Sequence, residues 1–571
     1  LDFVLSTPGN PNEVTKRELD IIWMDHVVRR TTLSARPRIG SVALSVLVSL
    51  YLVIFANATF WAKVTTHLAP HPDAIAALYI AITMLFIAVI TTFSAKYIIK
   101  PFLIFLVIAA SLAAWFTDTF GVIVDSDMIR NAMETTPAEA QHLITAGFIV
   151  HFLLFGLVPV LLIAWVRVVH RTILQKLLWN SVTVFACLAV FSLSAVGFSK
   201  EYTTAIRQHR DIVKSLNPVT PIVSAAKYFL QAGAEAKLVV QPLGLDAKIL
   251  PALGGLHKPR VTIIVAGETA RAMNFSLGGY QRDTNPELAK QDVVYFPNTT
   301  SCGTATAASI PCMFSQFTRA TYTHSKGLAN EGLLDVLAHA GVDVAWFDNN
   351  TGSKGAAARV KYVDLAKSVD PRYCKDGECQ DGIFLDKLDE WLDGVKQDSV
   401  LVLHQMGSHG PAYYLRYPDA FRKFEPECQT AELGNCNDAE ILNAYDNSIL
   451  YTDHFLSVVI DKLKRRSEKF AAGLIYMSDH GESLGENGLY LHGAPYMLAP
   501  DEQTHVPFLV WLDADFSTSM GLQKDCLAQS TARPTSHDNL FPSVLSMMNV
   551  ATSVYDAKLD VFSGCIAGRT S

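Results

Sequence analysis

Apolar residues are laid out in two regimes along this chain. Up to Phe198 they form long runs, Gly40–Trp61, Ala74–Phe93, Phe102–Phe120, Leu143–Val166 and Leu178–Phe198, with no Lys, Arg or Glu in their interiors. Each is close to the ~20 residues a helix needs to cross a bilayer. Five such runs in succession are hard to bury without lipid, so five transmembrane helices are predicted. Basic residues set the orientation. Arg29, Arg30, Arg36 and Arg38 precede the first run, Lys96 and Lys100 lie between the second and third, and Arg167, Arg171 and Lys176 between the fourth and fifth. The alternate loops hold Lys63 and Arg130. The expected division is a cytoplasmic segment 1–38, a five-helix transmembrane domain 39–199, bridging helices along the membrane surface at 200–256, and an exported α/β domain 257–571.

Past residue 256 the apolar residues come in short blocks. Val261–Gly267, Asp343–Phe347, Ser399–His404, Gly473–Met477 and Val506–Leu512 read as strands. Segments of helical period, such as Glu331–Ala340 and Ile383–Leu392, alternate with them. The alternation predicts a central, largely parallel sheet with helices on both faces. In such sheets chemistry collects beyond the carboxyl ends of strands.

Composition sharpens this picture in three ways. A chain that is 50% hydrophobic with positive mean hydropathy is too apolar for a soluble enzyme of this size. A net charge of −7 excludes strong nonspecific nucleic-acid binding as a main role. The chain opens on Leu1, so its natural start is expected upstream, and the first apolar run is too late and too long for a cleavable signal peptide. Of nine cysteines only Cys187 lies in a span. The other eight fall on the exported side, where oxidation favours disulfides. Spacing pairs Cys302 with Cys312, Cys374 with Cys379 and Cys428 with Cys436, leaving Cys526 with Cys565; no Cys-x-x-Cys pair supports a structural zinc.

Candidate chemistry sits where strands stop. Glu268 follows the first strand at once, and Asp479-His480 follows Gly473–Met477, with His492 beyond. These offer oxygen and nitrogen ligands suited to zinc. His409, between glycines in Gly407-Ser408-His409-Gly410, follows Ser399–His404. A hydroxyl-rich tract of small residues, Thr299–Ser309, leads toward a helix start whose free N–H groups favour a phosphate. Its composition leaves Thr304, Thr306 and Ser309 open as nucleophile. Asn131, Thr135 and Glu139 recur at four-residue spacing and would line one helix face, with Pro137 placed in the first turn of a following helix as the alternative.

Four motifs then occur in order: Gly267-Glu268-Thr269-Ala270-Arg271-Ala272, Asn298–Ala307 with Cys302-Gly303-Thr304-Ala305-Thr306, Leu403–Pro411, and Ser478-Asp479-His480-Gly481-Glu482-Ser483. Together they closely resemble the phosphoethanolamine transferases of Gram-negative bacteria, which include lipid A-modifying and mobile colistin-resistance enzymes. The resemblance implies an alkaline-phosphatase/sulfatase-like domain and a multi-pass inner-membrane protein with that domain in the periplasm. It implies one firmly bound Zn2+ on Glu268, Asp479 and His480, with Thr306 as nucleophile and metal neighbour. His409 and His492 would act at the substrate or hold a second zinc. Asn350 and Lys354, in Asn349-Asn350-Thr351-Gly352-Ser353-Lys354, would contact phosphate or ethanolamine, and Asn131, Thr135 and Glu139 the lipid headgroup. The tract Gln316–Asn330, rich in Ser and Thr, departs from the acidic stretch of some members, which leaves acceptor contacts there unassigned.

The implied reaction takes phosphoethanolamine from phosphatidylethanolamine, through a threonine intermediate, to a lipid A phosphate. It lessens envelope negative charge and favours polymyxin resistance. The expected protein is a monomer among membrane lipids that binds no nucleic acid. Transfer to a core sugar (heptose or Kdo) and hydrolysis by another member of the superfamily are the alternatives. A formylglycine sulfatase is disfavoured, since no Cys-x-Pro-x-Arg motif occurs.

Overall fold

A computed structural model of the chain describes residues 36–252 and 258–566. The expected cytoplasmic segment, with Arg29 and Arg30, lies outside these apart from its last three residues. The chain forms two compact units. One comprises the segments up to Leu112 and His151–His209; the other comprises Ala113–Val150 and the chain from Arg210 on.

Among the described residues four helices are long and apolar enough to cross a membrane: Pro72–Thr92, Ile99–Phe120, Ala146–Trp165 and Ile173–Gly197. The first expected span departs from the expectation of a single rod. It is a pair, Ser41–Phe55 and Ala58–His67, bent by 66°. The break falls at Asn57, whose backbone is non-helical and whose side-chain amide returns 2.9 Å to the Leu52 carbonyl. A polar side chain that satisfies itself on the preceding turn competes with helix continuation. Among the described residues there are therefore four single candidate spans, with the bent pair as the fifth. Basic residues gather at one end of the unit: Arg38 and Arg167 are register partners in a two-stranded pairing. Lys100 there donates to the Ala164 and Val166 carbonyls at 2.8 and 2.6 Å, capping a helix end.

In the second unit, helices α1 (Ser126–Glu134), α2 (Pro137–Leu143) and α3 (Val219–Glu235) precede the sheet domain. The continuous face expected for Asn131, Thr135 and Glu139 is not formed. Thr135 is extended at the end of α1, Thr136 caps α2 by accepting from the Glu139 amide at 3.2 Å, and Pro137 opens α2. Proline lacks the N–H that an uninterrupted helix needs.

The central sheet has eight strands: β1 (Arg260–Gly267), β2 (Val293–Thr300), β3 (Asp343–Asp348), β4 (Lys361–Asp364), β5 (Ser399–His404), β6 (Ala471–Ser478), β7 (His505–Leu512) and β8 (Thr535–Ser536). Their spatial order is β8-β2-β7-β6-β1-β5-β3-β4. Only β7 runs against the rest. All five strands read from apolar blocks are present. Strand β2 escapes the pattern because it contains Pro297, next to a register shift opposite Pro507. Strands β4 and β8 are too short to show a period.

Strand β1 is buried along its whole length at the centre. Ile264 and Ala266 face one apolar cluster, with Trp346, Phe508 and Phe541. Val261, Ile263 and Val265 face the other, with Phe384, Tyr445 and Leu456. Burial on both faces explains why the strand reads as a continuous apolar run. Each of its Val and Ile side chains contributes on the order of 1.5–3 kcal/mol. Helix α4 (Thr306–Met313) packs in the first cluster, and α5 (Asp438–Lys464), 27 residues long, in the second.

Candidate metal and nucleophile site

The parallel register of β1 and β6 pairs Gly267 with Ser478, so Glu268 and Asp479 leave neighbouring strands side by side. The Asp479 amide extends this ladder by donating to Gly267 O at 2.9 Å. Thr269 then turns sharply, with φ of +57°. A β-branched residue there is strained, and its contacts hold it: the Thr269 amide donates to Asp479 Oδ1 at 3.2 Å and its hydroxyl to Glu268 Oε1 at 2.5 Å. Strain kept by surrounding structure is common where geometry serves a site.

His480 completes the cluster. Its Nε2 lies 3.3 Å from Glu268 Oε1 and 3.4 Å from Asp479 Oδ2, and its Nδ1 lies 2.8 Å from Gly481 O. A proton donated to that carbonyl leaves Nε2 as the free lone pair, the usual arrangement of a ligating histidine. The ligand atoms of Glu268, Asp479 and His480 lie within 4.8 Å of one another, and all three residues are buried.

The charges show what the cluster lacks. Burial and the Glu268 charge push Asp479 up to about 7. Burial also works against ionised Glu268, but the hydrogen bond and charge of His480 outweigh it and hold Glu268 well below the usual carboxylate range. Burial opposes imidazolium too, yet the Asp479 and Glu268 charges push His480 up to about 10. Two buried carboxylates thus compete for one positive charge, and Asp479 Oδ2 is buried with no hydrogen-bond partner. A donor set of two carboxylate oxygens and an imidazole nitrogen, with one oxygen orphaned, fits a divalent zinc. His480, Glu482 and His492 form a second group of three buried ligands.

The three open hydroxyls are told apart by the fold. Thr304 Oγ1 donates to Ala494 O at 2.6 Å, and Ser309 Oγ is buried without a partner. Thr306, the first residue of α4, places Oγ1 at 3.0 Å from Glu268 Oε2 and 3.4 Å from His480 Nε2. The Cys302–Cys312 disulfide ties the loop before α4 to its last turn. The other expected pairs, Cys374–Cys379, Cys428–Cys436 and Cys526–Cys565, also form, and Cys187 is free and buried.

Asn350 donates from Nδ2 to Glu268 Oε2 at 2.8 Å and to Gln405 O at 2.7 Å. His492 holds Nδ1 at 2.9 Å from Glu482 Oε2, which also accepts from Tyr413 at 2.8 Å through its other oxygen. The His492 ring centroid is 4.4 Å from that of His480 and 5.4 Å from that of His409. His409 Nε2 lies 3.4 Å from Glu139 Oε1. Lys354 pairs with Glu134 at 2.9 Å, a partner not expected from sequence. The Asn131 carbonyl accepts from Thr135 Oγ1 at 2.8 Å. Beside His409 a cavity of about 480 Å³ is lined by Glu139, Asn350, Tyr362, Met406 and others.

Sequence reasoning missed the residues that hold this set. Asp381 accepts from the Met406 and Gly407 amides at 2.8 and 2.9 Å and from Asn349 Nδ2 at 2.9 Å. Glu482 and Thr269 stand inside quoted motifs, yet only their partners show what they orient.

Comparisons with known proteins identify the family. The family model described as phosphoethanolamine transferase EptA/EptB matches residues 82–232, and the sulfatase model residues 260–550. The chain is 38% identical to phosphoethanolamine transferase EptA of Salmonella typhimurium, over 93% of this chain and 98% of that protein. It is 36% identical to phosphatidylethanolamine transferase Mcr-1 of Escherichia coli, over 92% and 98%. It matches the structure of the integral membrane protein lipooligosaccharide phosphoethanolamine transferase A from Neisseria meningitidis with a TM-score of 0.88 at 34% identity, covering 93% of this chain and 100% of that one. This chain, a membrane protein with a sulfatase-like α/β domain, therefore belongs to the phosphoethanolamine transferase family.

Proposed function

We propose that the protein transfers phosphoethanolamine from phosphatidylethanolamine to a phosphate of lipid A, from the outer face of a Gram-negative inner membrane. The observation that carries the mechanism is the Thr306 hydroxyl, 3.0 Å from Glu268 Oε2, at the start of a helix and beside a buried three-ligand set. Glu268, Asp479 and His480 would hold the zinc. When bound, it supplies Lewis-acid polarisation of the phosphate and lowers the pKa of a neighbouring hydroxyl.

The chain's own groups do the rest. Thr306 Oγ attacks phosphorus in line; the Thr306 O–P bond forms as the diacylglycerol O–P bond breaks, and the proton leaves with diacylglycerol. A phosphate oxygen of lipid A then attacks the phosphorus of the phosphothreonine diester; its P–O–P bond forms as the Thr306 O–P bond breaks, and the proton from that lipid A phosphate returns to Thr306 Oγ. His409 and His492 face the phosphoryl oxygens, stabilise their charge and move the proton. His492 is oriented for this by Glu482. Asn350 spends one amide hydrogen on Glu268 and the other on the Gln405 carbonyl, so it serves the phosphate by fixing Glu268. Asn131, Thr135, Glu139 and Lys354 contact the lipid headgroup. Adding an ammonium to lipid A reduces attraction for polymyxin. The protein is a monomer with a cytoplasmic N-terminus.

Mass spectrometry of lipid A from cells expressing wild type or Thr306→Ala tests this reading. The variant is expected to lose at least ~10³-fold of the transfer, and unchanged modification would overturn it. Prolonged chelation is expected to abolish activity and added zinc to restore it. Modification found on heptose or Kdo would favour the core-sugar alternative.

A further inference from the structure

The loop Gln405–Gly410 carries His409, and buried charges hold it at both ends. At its start Asp381 takes the Met406 and Gly407 amides. At its end the buried Arg416 donates from Nε to the His409 carbonyl at 2.7 Å and from Nη1 to Glu378 Oε2 at 2.9 Å. The same Glu378 oxygen meets His142 Nε2 at 3.0 Å. His142 and Glu139 stand three residues apart on α2, so they share a face. Helix α2 therefore reaches His409 by two routes: directly through Glu139, and through His142, Glu378 and Arg416.

We propose that Arg416 and Glu378 are positioning residues for His409, and that through His142 they tie its placement to the helix that carries Glu139. The inference rests on the reading of His409 as a group that faces the phosphate.

The chemistry favours placement over stability as the role of these charges. A buried ion pair rarely stabilises more than an apolar packing of equal volume, because both ions lose their hydration. Here Arg416 Nη2 is buried with no partner at all, which worsens that balance. The arrangement does provide geometry. A planar guanidinium serves the His409 carbonyl and a carboxylate at once, in a fixed fork that a lysine ammonium cannot reproduce. Glu378 is held in turn by its neighbour Cys379, which closes a short hairpin with Cys374. Burial pushes the Glu378 carboxyl up, but the Arg416 charge and the hydrogen bonds from His142 and Arg416 more than reverse this. It is therefore an ionised acceptor throughout the working pH range. A misplacement of ~1 Å at a reacting group can cost on the order of 100-fold in rate.

A double-mutant cycle on the full-length protein, read as diacylglycerol release from phosphatidylethanolamine vesicles, tests the proposal. Arg416→Lys is expected to lower kcat by on the order of 10- to 100-fold with little change in donor KM. In a His409→Ala background it should add no further loss, because it acts through His409. Losses that multiply, or an Arg416→Lys protein with wild-type kcat, would overturn the proposal. His142→Gln, at a more exposed position, guards against misfolding of the buried variant. It should lower kcat in the same direction by a smaller factor at unchanged Tm. A fall that only tracks the folded fraction overturns the proposal as well. If wild type releases no diacylglycerol, the functional reading fails. The cycle read on a chromogenic phosphodiester then still tests the coupling of Arg416 to His409.

Discussion

Gly407 shows how little freedom single residues have at this site. Its φ is +51°, and a Cβ built there would lie 2.6 Å from Glu268 O and 3.1 Å from Glu268 N. Both objections are to backbone, which cannot swing aside. Gly407→Ala is expected to displace Glu268, cost ~1–3 kcal/mol of stability and empty the metal site. Zinc content by elemental analysis, with Tm, checks this; a variant with full zinc and wild-type Tm would contradict the close approach. Asp479 makes the complementary point. Its buried Oδ2 accepts no hydrogen bond and meets His480 Nε2 at 3.4 Å, an environment that suits a cation ligand.

At the scale of elements, α5 is the longest helix and its inner face is polar in places. Asp453 is buried on it and accepts the Glu287 and Leu288 amides at 2.9 and 3.0 Å. Burial, helped by the Glu287 and Asp283 charges, pushes its carboxyl up to about 7. An unfolded Asp titrates near ~3.9, so the folded chain binds more protons here. The stability from this group is fully present below ~pH 3.9 and is lost as pH rises through about 7, at up to ~1.4 kcal/mol per pH unit. Asp453→Asn is therefore expected to flatten the fall in Tm between ~pH 4 and ~pH 7; parallel curves for variant and wild type would refute it. The element scale also exposes what pattern reading misses. Strand β2 hides behind Pro297. The span Gly40–Trp61 reads as one rod because Asn57 is a single polar residue in an apolar run. The set Asn131, Thr135, Glu139 looks helical by spacing although Pro137 divides it.

At the scale of the whole molecule, two segments distant in sequence form one compact unit. Only 6% of the apolar window of Ile173–Gly197 is buried within the protein, so that helix presents its surface to lipid. The segment Ala113–Val150 belongs with the α/β unit, where Glu134 meets Lys354, Glu139 meets His409 and His142 meets Glu378. A chain that begins at Arg210 lacks all three contacts while keeping Glu268, Asp479, His480 and Thr306. It is expected to retain zinc yet lose on the order of 100-fold or more of diacylglycerol release from vesicles, through lost proximity and lost placement of His409. Full activity of that truncated chain on vesicles would count against both.

The sequence by itself determined the apolar runs of the membrane region, five of the eight strands of the sheet, the cysteine pairs and the residue types of the candidate metal set. These follow from local pattern: run length, apolar period, and acids and histidines at strand ends. The motifs then pointed to Thr306. Tertiary structure alone decided which hydroxyl reaches Glu268, that Asp479 and Glu268 are neighbours across a parallel register, and that Asp381 and Arg416 hold the His409 loop. The physical reason is that these depend on contacts between positions far apart in the chain. A buried Arg or Asp is fixed by the partner that satisfies it, and no local pattern records where that partner will lie.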